Sequence, residues 1–259
     1  MKTKQWMMAG ALLALAVTFT SCVNSLKSLS RLSDSERVSE TRSLKGFEQI
    51  EVNGSPTVYY TQADTFSVVV KGTNSYVDDI ITEVNDGVLN IRNRGKIGIV
   101  NVSFDHDEGA VYVTSPDLTA IRLNGSGDFV SSQRVDTDNM QIVMRGSGDI
   151  DVKDLICDHC TSELIGSGDL NINRLESQTS AITLVGSGDI DIRQWQVLDT
   201  DVALRGSGDI SVHFAQGCRS VKCQLAGSGD IKLSGQIDHY SGEKGGSGDI
   251  DIDKLSIQK

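Results

Sequence analysis

The chain has 259 residues, a formal charge of −11, 38% apolar residues and only 5% aromatic ones. That length suffices for one domain with its own core, and the acidic balance excludes a surface built for nucleic acid or anionic lipid. Two prolines in the whole chain, with Ile, Val and Leu recurring at alternate sites, suit an all-β protein.

Residues 1–21 read as a signal peptide. Lys2 and Lys4 give a positive start, and the apolar run from Met7 to Phe19 is too short to span a membrane. The run ends Phe19-Thr20-Ser21-Cys22, which resembles a bacterial lipobox with Phe19 in the place usually held by Leu. The implied chemistry is thioether lipidation of Cys22, cleavage before it and acylation of the new terminus. Several acyl chains anchor firmly, since each buried CH₂ contributes about 0.8 kcal/mol. The expected membrane partner is therefore reached through lipid. Val23 stands where an inner-membrane retention signal has Asp, so an outer-membrane lipoprotein of the cell envelope is expected, with the periplasmic and surface-facing sides both open. Loss of the signal leaves 22 basic and 35 acidic residues, a net of −13. Residues 22–45, rich in Ser, Arg and Glu and without a strand pattern, are expected to be anchor and tether, in part helical.

Residues 46–116 carry strand-like runs at Phe47–Val52, Thr57–Tyr60, Phe66–Val70, Val88–Ile91, Ile97–Val102 and Val111–Val113, with one short helix predicted over Tyr76–Ile81. This stretch is expected to form irregular rungs that cap the N-terminal end of a solenoid.

Residues 117–259 form a repeat. Gly-Ser-Gly-Asp occurs seven times, and its first glycines Gly125, Gly146, Gly166, Gly186, Gly206, Gly227 and Gly246 are spaced by 21, 20, 20, 20, 21 and 19 residues. Four residues after each first glycine stands an apolar residue: Phe129, Ile150, Leu170, Ile190, Ile210, Ile231 and Ile250. Two further on come Val152, Ile172, Ile192, Val212, Leu233 and Ile252, with Ser131 breaking the column. Two and four residues before the glycine the pattern repeats, from Leu123 and Ile121 to Leu225 and Cys223. This alternation marks half-buried strands on both sides of a corner. A third inward position is predicted nine residues after the glycine, at Leu155, Leu175, Trp195, Ala215 and Leu255. One such unit cannot bury its apolar face alone, but stacked units can. The predicted fold is all-β: a single-stranded parallel β-solenoid (β-helix) of about 20 residues per rung, and the crossover rule favours right-handed winding.

The corner itself reads as structural. Glycines such as Gly125 and Gly127 permit positive φ or close backbone approach, and Ser126 and Asp128 satisfy nearby backbone N–H groups. Asn53-Gly54-Ser55-Pro56 looks like a worn copy of it. Near the C-terminus the inward sites before Gly246 are Gly242 and Lys244, so the last rung is expected to be exposed and to pair end to end with another molecule.

Three chemistries come into question. The column Asp128, Asp149, Asp169, Asp189, Asp209, Asp230 and Asp249 invites calcium, but one corner per rung cannot supply six to eight oxygens to one ion. Cys157-Asp-His-Cys160 with Cys218 and Cys223 has zinc-like composition, yet rungs three apart lie on the order of 14 Å from one another, far beyond Zn–S reach. Local Cys157–Cys160 or Cys218–Cys223 disulfides remain open in an oxidising compartment. His106, His159, His213 and His239 form no recognised catalytic motif, the Gly-Ser-Gly-Asp serine has no partnered base, and Asp105–Glu108 reads as an acidic turn. No catalytic residue, metal or cofactor is expected.

Phe47-Glu-Gln-Ile-Glu-Val-Asn-Gly54, Asp86-Gly-Val-Leu-Asn-Ile91 and the iterated Gly-Ser-Gly-Asp-Ile together resemble the head GIN domain family of bacterial envelope proteins, over roughly residues 46–253. The resemblance implies a β-solenoid and, by analogy of shape, the adhesin label the family carries, and it carries over no catalytic residue and no established activity. With no barrel segment expected after Lys259, the lipid is the expected anchor. The function expected is a non-enzymatic binding or structural surface for an unidentified protein or glycan. The alternative is a glycan-binding or polysaccharide-active β-helix, which a groove of convergent carboxylates and aromatics would favour and a uniform ladder face would not.

Overall fold

The structure, a computed structural model, describes residues 37–95 and 109–257. The signal peptide, Cys22, the Ile97–Val102 run and the Asp105–Glu108 turn lie outside the described residues. The strands are β1 (Arg37–Arg42), β2 (Gln49–Gly54), β3 (Val58–Gln62), β4 (Ser67–Thr73), β5 (Ile80–Asn85), β6 (Val88–Asn93), β7 (Gly109–Ser115), β8 (Ala120–Gly125), β9 (Phe129–Asp136), β10 (Asn139–Gly146), β11 (Ile150–Gly166), β12 (Asp169–Gly186), β13 (Asp189–Trp195), β14 (Val197–Gly206), β15 (Ile210–Gly227), β16 (Ile231–Gly246) and β17 (Ile250–Ile257), with one helix, α1 (Asn74–Asp79).

From β8 onward the strands pair with one another in parallel, one repeat apart: Gly146 faces Gly125 on one side and Gly166 on the other, and Gly206 joins Gly186 to Gly227. This is a parallel β-solenoid of about seven turns. The inward columns are the core. Phe129, Ile150, Leu170, Ile190, Ile210 and Ile231 are buried, as are Leu123, Met144, Leu164, Leu184, Leu204 and Leu225. Each buried side chain of this size contributes about 1.5–3 kcal/mol relative to exposure, and the contribution recurs with each turn because each row lies on the same row of its neighbour.

The third inward column needs correction. Leu155 and Leu175 are buried, but Trp195 and Ala215 are not in the core; Gln194 and Phe214 are, one residue earlier. The register explains it: Ile172 pairs with Ile192, whereas Leu175 pairs with Gln194, so this limb has lost one residue. Gln194 is fully buried, and its Oε1 accepts a hydrogen bond from Thr200 Oγ1 at 2.7 Å. Displaced outward, the Trp195 ring carries the Arg174 guanidinium 5.0 Å from its centroid.

The first rungs are threaded out of sequence order. β2 pairs in parallel with both β6 and β8, and β3 with both β7 and β9. The β6–β7 rung therefore lies outside the β2–β3 rung, although it comes later in the chain. β4 and β5 then run antiparallel to β7 and β6. The tether expectation fails at residues 37–42, which form β1, antiparallel to β4. Their polar sequence hides a strand because β1 is an outer strand, exposed along most of its length. The helix begins two residues before its predicted start, at Asn74, because Thr73 Oγ1 caps it by accepting from Tyr76 N at 3.2 Å. It ends at Asp79, and the β-branched Ile80 and Ile81 turn into β5. Tyr76 and Val77 are buried over this end of the rod.

The opposite end is bare by comparison. Among the described residues β17 pairs only with β16, Ile250, Ile252 and Leu255 are partly exposed, and Ile257 is 46% exposed. Gly242 and Lys244 are exposed, as the failure of the apolar columns there predicts.

Candidate functional site

The seven corners form one continuous column, and three kinds of contact hold it. The first glycine of each motif has φ of +124° to +146° at six of the seven positions. It also sits on the glycine one rung before it: a Cβ on Gly146 would stand 1.9 Å from the Gly125 carbonyl oxygen. The second glycine is needed for proximity alone. A Cβ on Gly168 would stand 1.9 Å from the Gly148 oxygen, with no positive φ at that residue. The serine acts through its backbone: Ser147, Ser167, Ser187, Ser207, Ser228 and Ser247 N–H groups donate to the first glycine of the preceding rung at 2.8–2.9 Å. Its hydroxyl is in the exposed column, contrary to the expected capping role.

The aspartates do what the backbone at the corner does not. Each Oδ1 accepts from the backbone N–H of the aspartate one rung on: Asp128 from Asp149 at 3.3 Å, Asp149 from Asp169 at 3.1 Å, Asp169 from Asp189 at 3.2 Å, Asp189 from Asp209 at 3.0 Å, Asp209 from Asp230 at 2.9 Å and Asp230 from Asp249 at 2.8 Å. One carboxylate oxygen thus replaces the ladder carbonyl that the bend has turned away. The column that invited calcium is explained by hydrogen bonding between rungs. Partial burial pushes the Asp149 carboxyl up, opposed by the Asp169 N–H and reinforced by the charges of Asp169, Asp128 and Asp151. Lys232, whose ammonium lies 2.7 Å from Asp209 Oδ2, holds that carboxyl below its ordinary value, helped by the Asp230 N–H. Asp249 ends the column and is bound by Lys244.

The worn copy is an eighth corner. Gly54 has φ +111°, pairs with Gly125, and its carbonyl accepts from Ser126 N at 2.9 Å. No glycine lies beneath it. Instead Asn93 Oδ1, at the end of β6, accepts from Ser55 N at 3.1 Å and from the Ser55 hydroxyl at 3.3 Å. Asn93 Nδ2 in turn donates to Asp79 Oδ2 at 2.9 Å. Sequence reasoning missed Asn93 and Asp79, since they are placed against the corner by the out-of-order threading.

The cysteines are not drawn together into one cluster. Cys157, Cys160, Cys218 and Cys223 are free and buried in the stack, Cys157 facing Ser177 and Cys218 facing Val197 and Ile237 in neighbouring rungs. Hydrogen bonding with Cys160 and burial together push the Cys157 thiol well up, and burial pushes Cys223 up to about 12. Cys157 and Cys223 are thiols held protonated in a core, while the hydrogen bond with Cys157 pulls Cys160 down. His159 and His213 bridge to hydroxyls one rung on, through Nδ1 contacts with Thr179 Oγ1 at 2.8 Å and Ser234 Oγ at 2.9 Å. Among the described residues no three His, Cys, Asp or Glu side chains converge as metal ligands, and no helix is long and apolar enough to cross a membrane.

Shallow grooves interrupt the outward faces, and two of them bear on binding. One, of about 530 Å³, is lined by mixed charges that include Asp191, Arg193, His213, Lys232, Asp251 and Lys254. The other, of about 550 Å³, lies across β1, β4, β7 and β3 and holds Tyr59 and Tyr112. Their outward direction follows from the alternation Val58-Tyr59-Tyr60 and Val111-Tyr112-Val113, but only the register β3 makes with β7 brings the two rings together.

Comparison with known proteins agrees with this architecture. The family model described as "Putative auto-transporter adhesin, head GIN domain" matches residues 46–218. A crystal structure of a "putative adhesin" from Bacteroides fragilis is 24% identical, with a TM-score of 0.72, covering 85% of this chain and 98% of its own. A "putative lipid binding protein" from Parabacteroides distasonis is 23% identical, with a TM-score of 0.66, covering 88% and 98%. A "putative adhesin" from Parabacteroides merdae gives the same TM-score and coverage at 15% identity. At such identities the likeness is one of fold. No curated protein matches the chain.

Proposed function

Because the chain belongs to the head GIN domain family, we propose that it is a lipoprotein of the cell envelope whose rod serves as a non-enzymatic, adhesin-like binding or structural surface. The observation that supports this most is the unbroken corner column. Seven copies of one motif are engaged in the same rung-to-rung hydrogen bonds, which makes the motif a scaffold repeated along the rod and leaves no copy distinguished as a reacting centre. Stacked rungs present long, flat outward faces, the property repeat proteins use for extended contact. Among the described residues, the groove holding exposed aromatic rings has no carboxylate in its lining, unlike the acid pair of a glycosidase.

Attachment is through Cys22, on the sequence alone. Globomycin-sensitive processing together with labelled palmitate that is lost in Cys22→Ser tests the anchor; a chain processed and unlabelled in the wild type refutes it. For binding, beads coated with the full chain are expected to be retained on bacterial or epithelial cell surfaces above albumin-coated beads, and equal retention overturns the reading. The half-exposed last rung and the one-sided pairing of β17 further support end-to-end self-association through this edge. Light scattering at rising concentration is expected to show a growing dimer fraction, and a monodisperse monomer throughout rules it out.

A further inference from the structure

The groove across β1, β4, β7 and β3 differs from the rest of the surface in two independent ways. The first is charge. The chain has 35 acidic and 24 basic residues, yet among the described residues the groove is lined by Arg37 and Lys71 and by no Asp or Glu. Lys71 Nζ lies 4.6 Å from the Tyr112 ring centroid, and no ion pair engages it among the described residues. The Lys71 ammonium gives an anion a point of attraction at this place. The second is aromatic exposure. Phe47, Tyr60, Phe129 and Phe214 are inside the core, and Phe66, 37% exposed, lies edge-on against Phe47. Tyr59 and Tyr112 are instead stacked, 5.3 Å between centroids with 20° between planes, and each is 41% exposed. Ser39 and Thr57 add hydroxyls to the same lining.

Cation, paired rings and hydroxyls in one shallow groove are the complement of a sugar bearing a carboxylate. We propose that this groove binds an acidic oligosaccharide, with pyranose C–H edges against Tyr59 and Tyr112, the carboxylate at Lys71 and sugar hydroxyls at Ser39 and Thr57. The proposal rests on the reading of the chain as a binding surface and names the ligand class. A peptide strand fits less well. Strand addition uses a free edge, whereas the floor is a sheet face in which β4 and β7 are already paired on both sides. A neutral glycan fits less well too, since it leaves the cation without a counter-charge.

The test is calorimetric titration of the full chain with a panel of uronate oligomers (galacturonate, mannuronate and glucuronate) and with their carboxyl-reduced, neutral forms. At least one acidic oligomer is expected to bind, with its reduced form at least tenfold weaker and with affinity falling as salt rises. Lys71→Gln is expected to weaken binding at least tenfold, and Tyr59→Ala with Tyr112→Ala to abolish it, while the thermal unfolding curves stay close to wild type because all three side chains project outward. Absence of binding to every acidic oligomer, equal binding of the reduced forms, or indifference to both variants overturns the proposal. Bead retention separates the two claims: variants that lose the oligomer while wild-type beads still adhere support the groove, wild-type beads that adhere with no oligomer bound overturn the groove alone, and wild-type beads that fail to adhere overturn the broader reading.

Discussion

The two ends of the rod solve the same problem differently. Every internal rung has a rung on each side to receive its N–H and C=O groups. At the N-terminal end the missing rung is replaced by side chains and by antiparallel strands: Asn93 takes the Ser55 N–H, Asp79 holds Asn93, β4 covers β7, and Tyr76 and Val77 close the apolar interior. At the C-terminal end Ile250, Ile252 and Leu255 keep the inward phase but remain partly exposed, and Asp249 has Lys244 in place of a following N–H. Closing a solenoid thus takes groups unlike those that build it. The repeating motif propagates the rod and contains nothing that ends it.

The largest expected effect separates stacked glycines from unstacked ones. Gly168→Ala places a Cβ against the Gly148 oxygen, with backbone on both sides and nowhere to yield. A loss of about 3 kcal/mol or more is expected, measured by denaturant unfolding. Gly87→Ala, at φ +77° with nothing within 4 Å of the added carbon, is expected to cost only about 1 kcal/mol, from backbone strain alone. A loss at Gly168 no larger than that at Gly87 would overturn the rung-contact role, since Gly168 has no positive φ to strain.

Next comes the cap. Asn93→Ala orphans the Ser55 N–H and removes the partner of Asp79, which is 9% exposed. A cost of about 1–3 kcal/mol is expected, with hydrogen exchange accelerated in β2, β5 and β6 and unchanged in β15 and β16. Uniform acceleration along the rod would contradict the assignment of Asn93 to the end.

A smaller effect tests the aspartate column. Asp169→Ala removes the acceptor for the Asp189 N–H and is expected to cost about 1 kcal/mol. Asp169→Asn keeps an oxygen at that place and is expected to cost less. If Asn proves as costly as Ala, the column works by charge and not by accepting hydrogen bonds.

The finest distinction is in acid titration. Asp209 is held low by Lys232, so its ionised form adds stability that is present above the unfolded carboxylate range and lost as pH falls through its folded value. Asp149 is held high by burial, so folding disfavours its ionised form, and protonation as pH falls through its folded value relieves that cost. Carboxyl NMR is expected to show Asp149 titrating at higher pH than Asp209, and Lys232→Met to move Asp209 toward Asp149. The reverse order would break the assignment of Lys232 to Asp209.

The repeat makes the regular rungs legible from the amino-acid order, because a fixed corner with apolar residues at fixed offsets has one low-energy arrangement: like rows stacked on like. Gly54-Ser55-Pro56 is legible as a corner on the same grounds. Where the period slips by one residue, after Ile192, counting from the glycine points to Trp195 and Ala215 when Gln194 and Phe214 occupy the core. Residues 37–42 escape notice because a polar outer strand has no apolar alternation to announce it.

The period, the inward columns and the structural reading of the glycines follow from residues near one another in the repeat and so are legible in the amino-acid order. The order in which the first rungs stack, the partner of each aspartate, the role of Asn93 and the meeting of Tyr59 with Tyr112 arise only in the folded chain. Those depend on which strand lies beside which. Seven similar rungs give the chain many near-equivalent neighbours, and only the dissimilar strands at the N-terminal end, with their antiparallel pairing and their helix, select the arrangement that closes it.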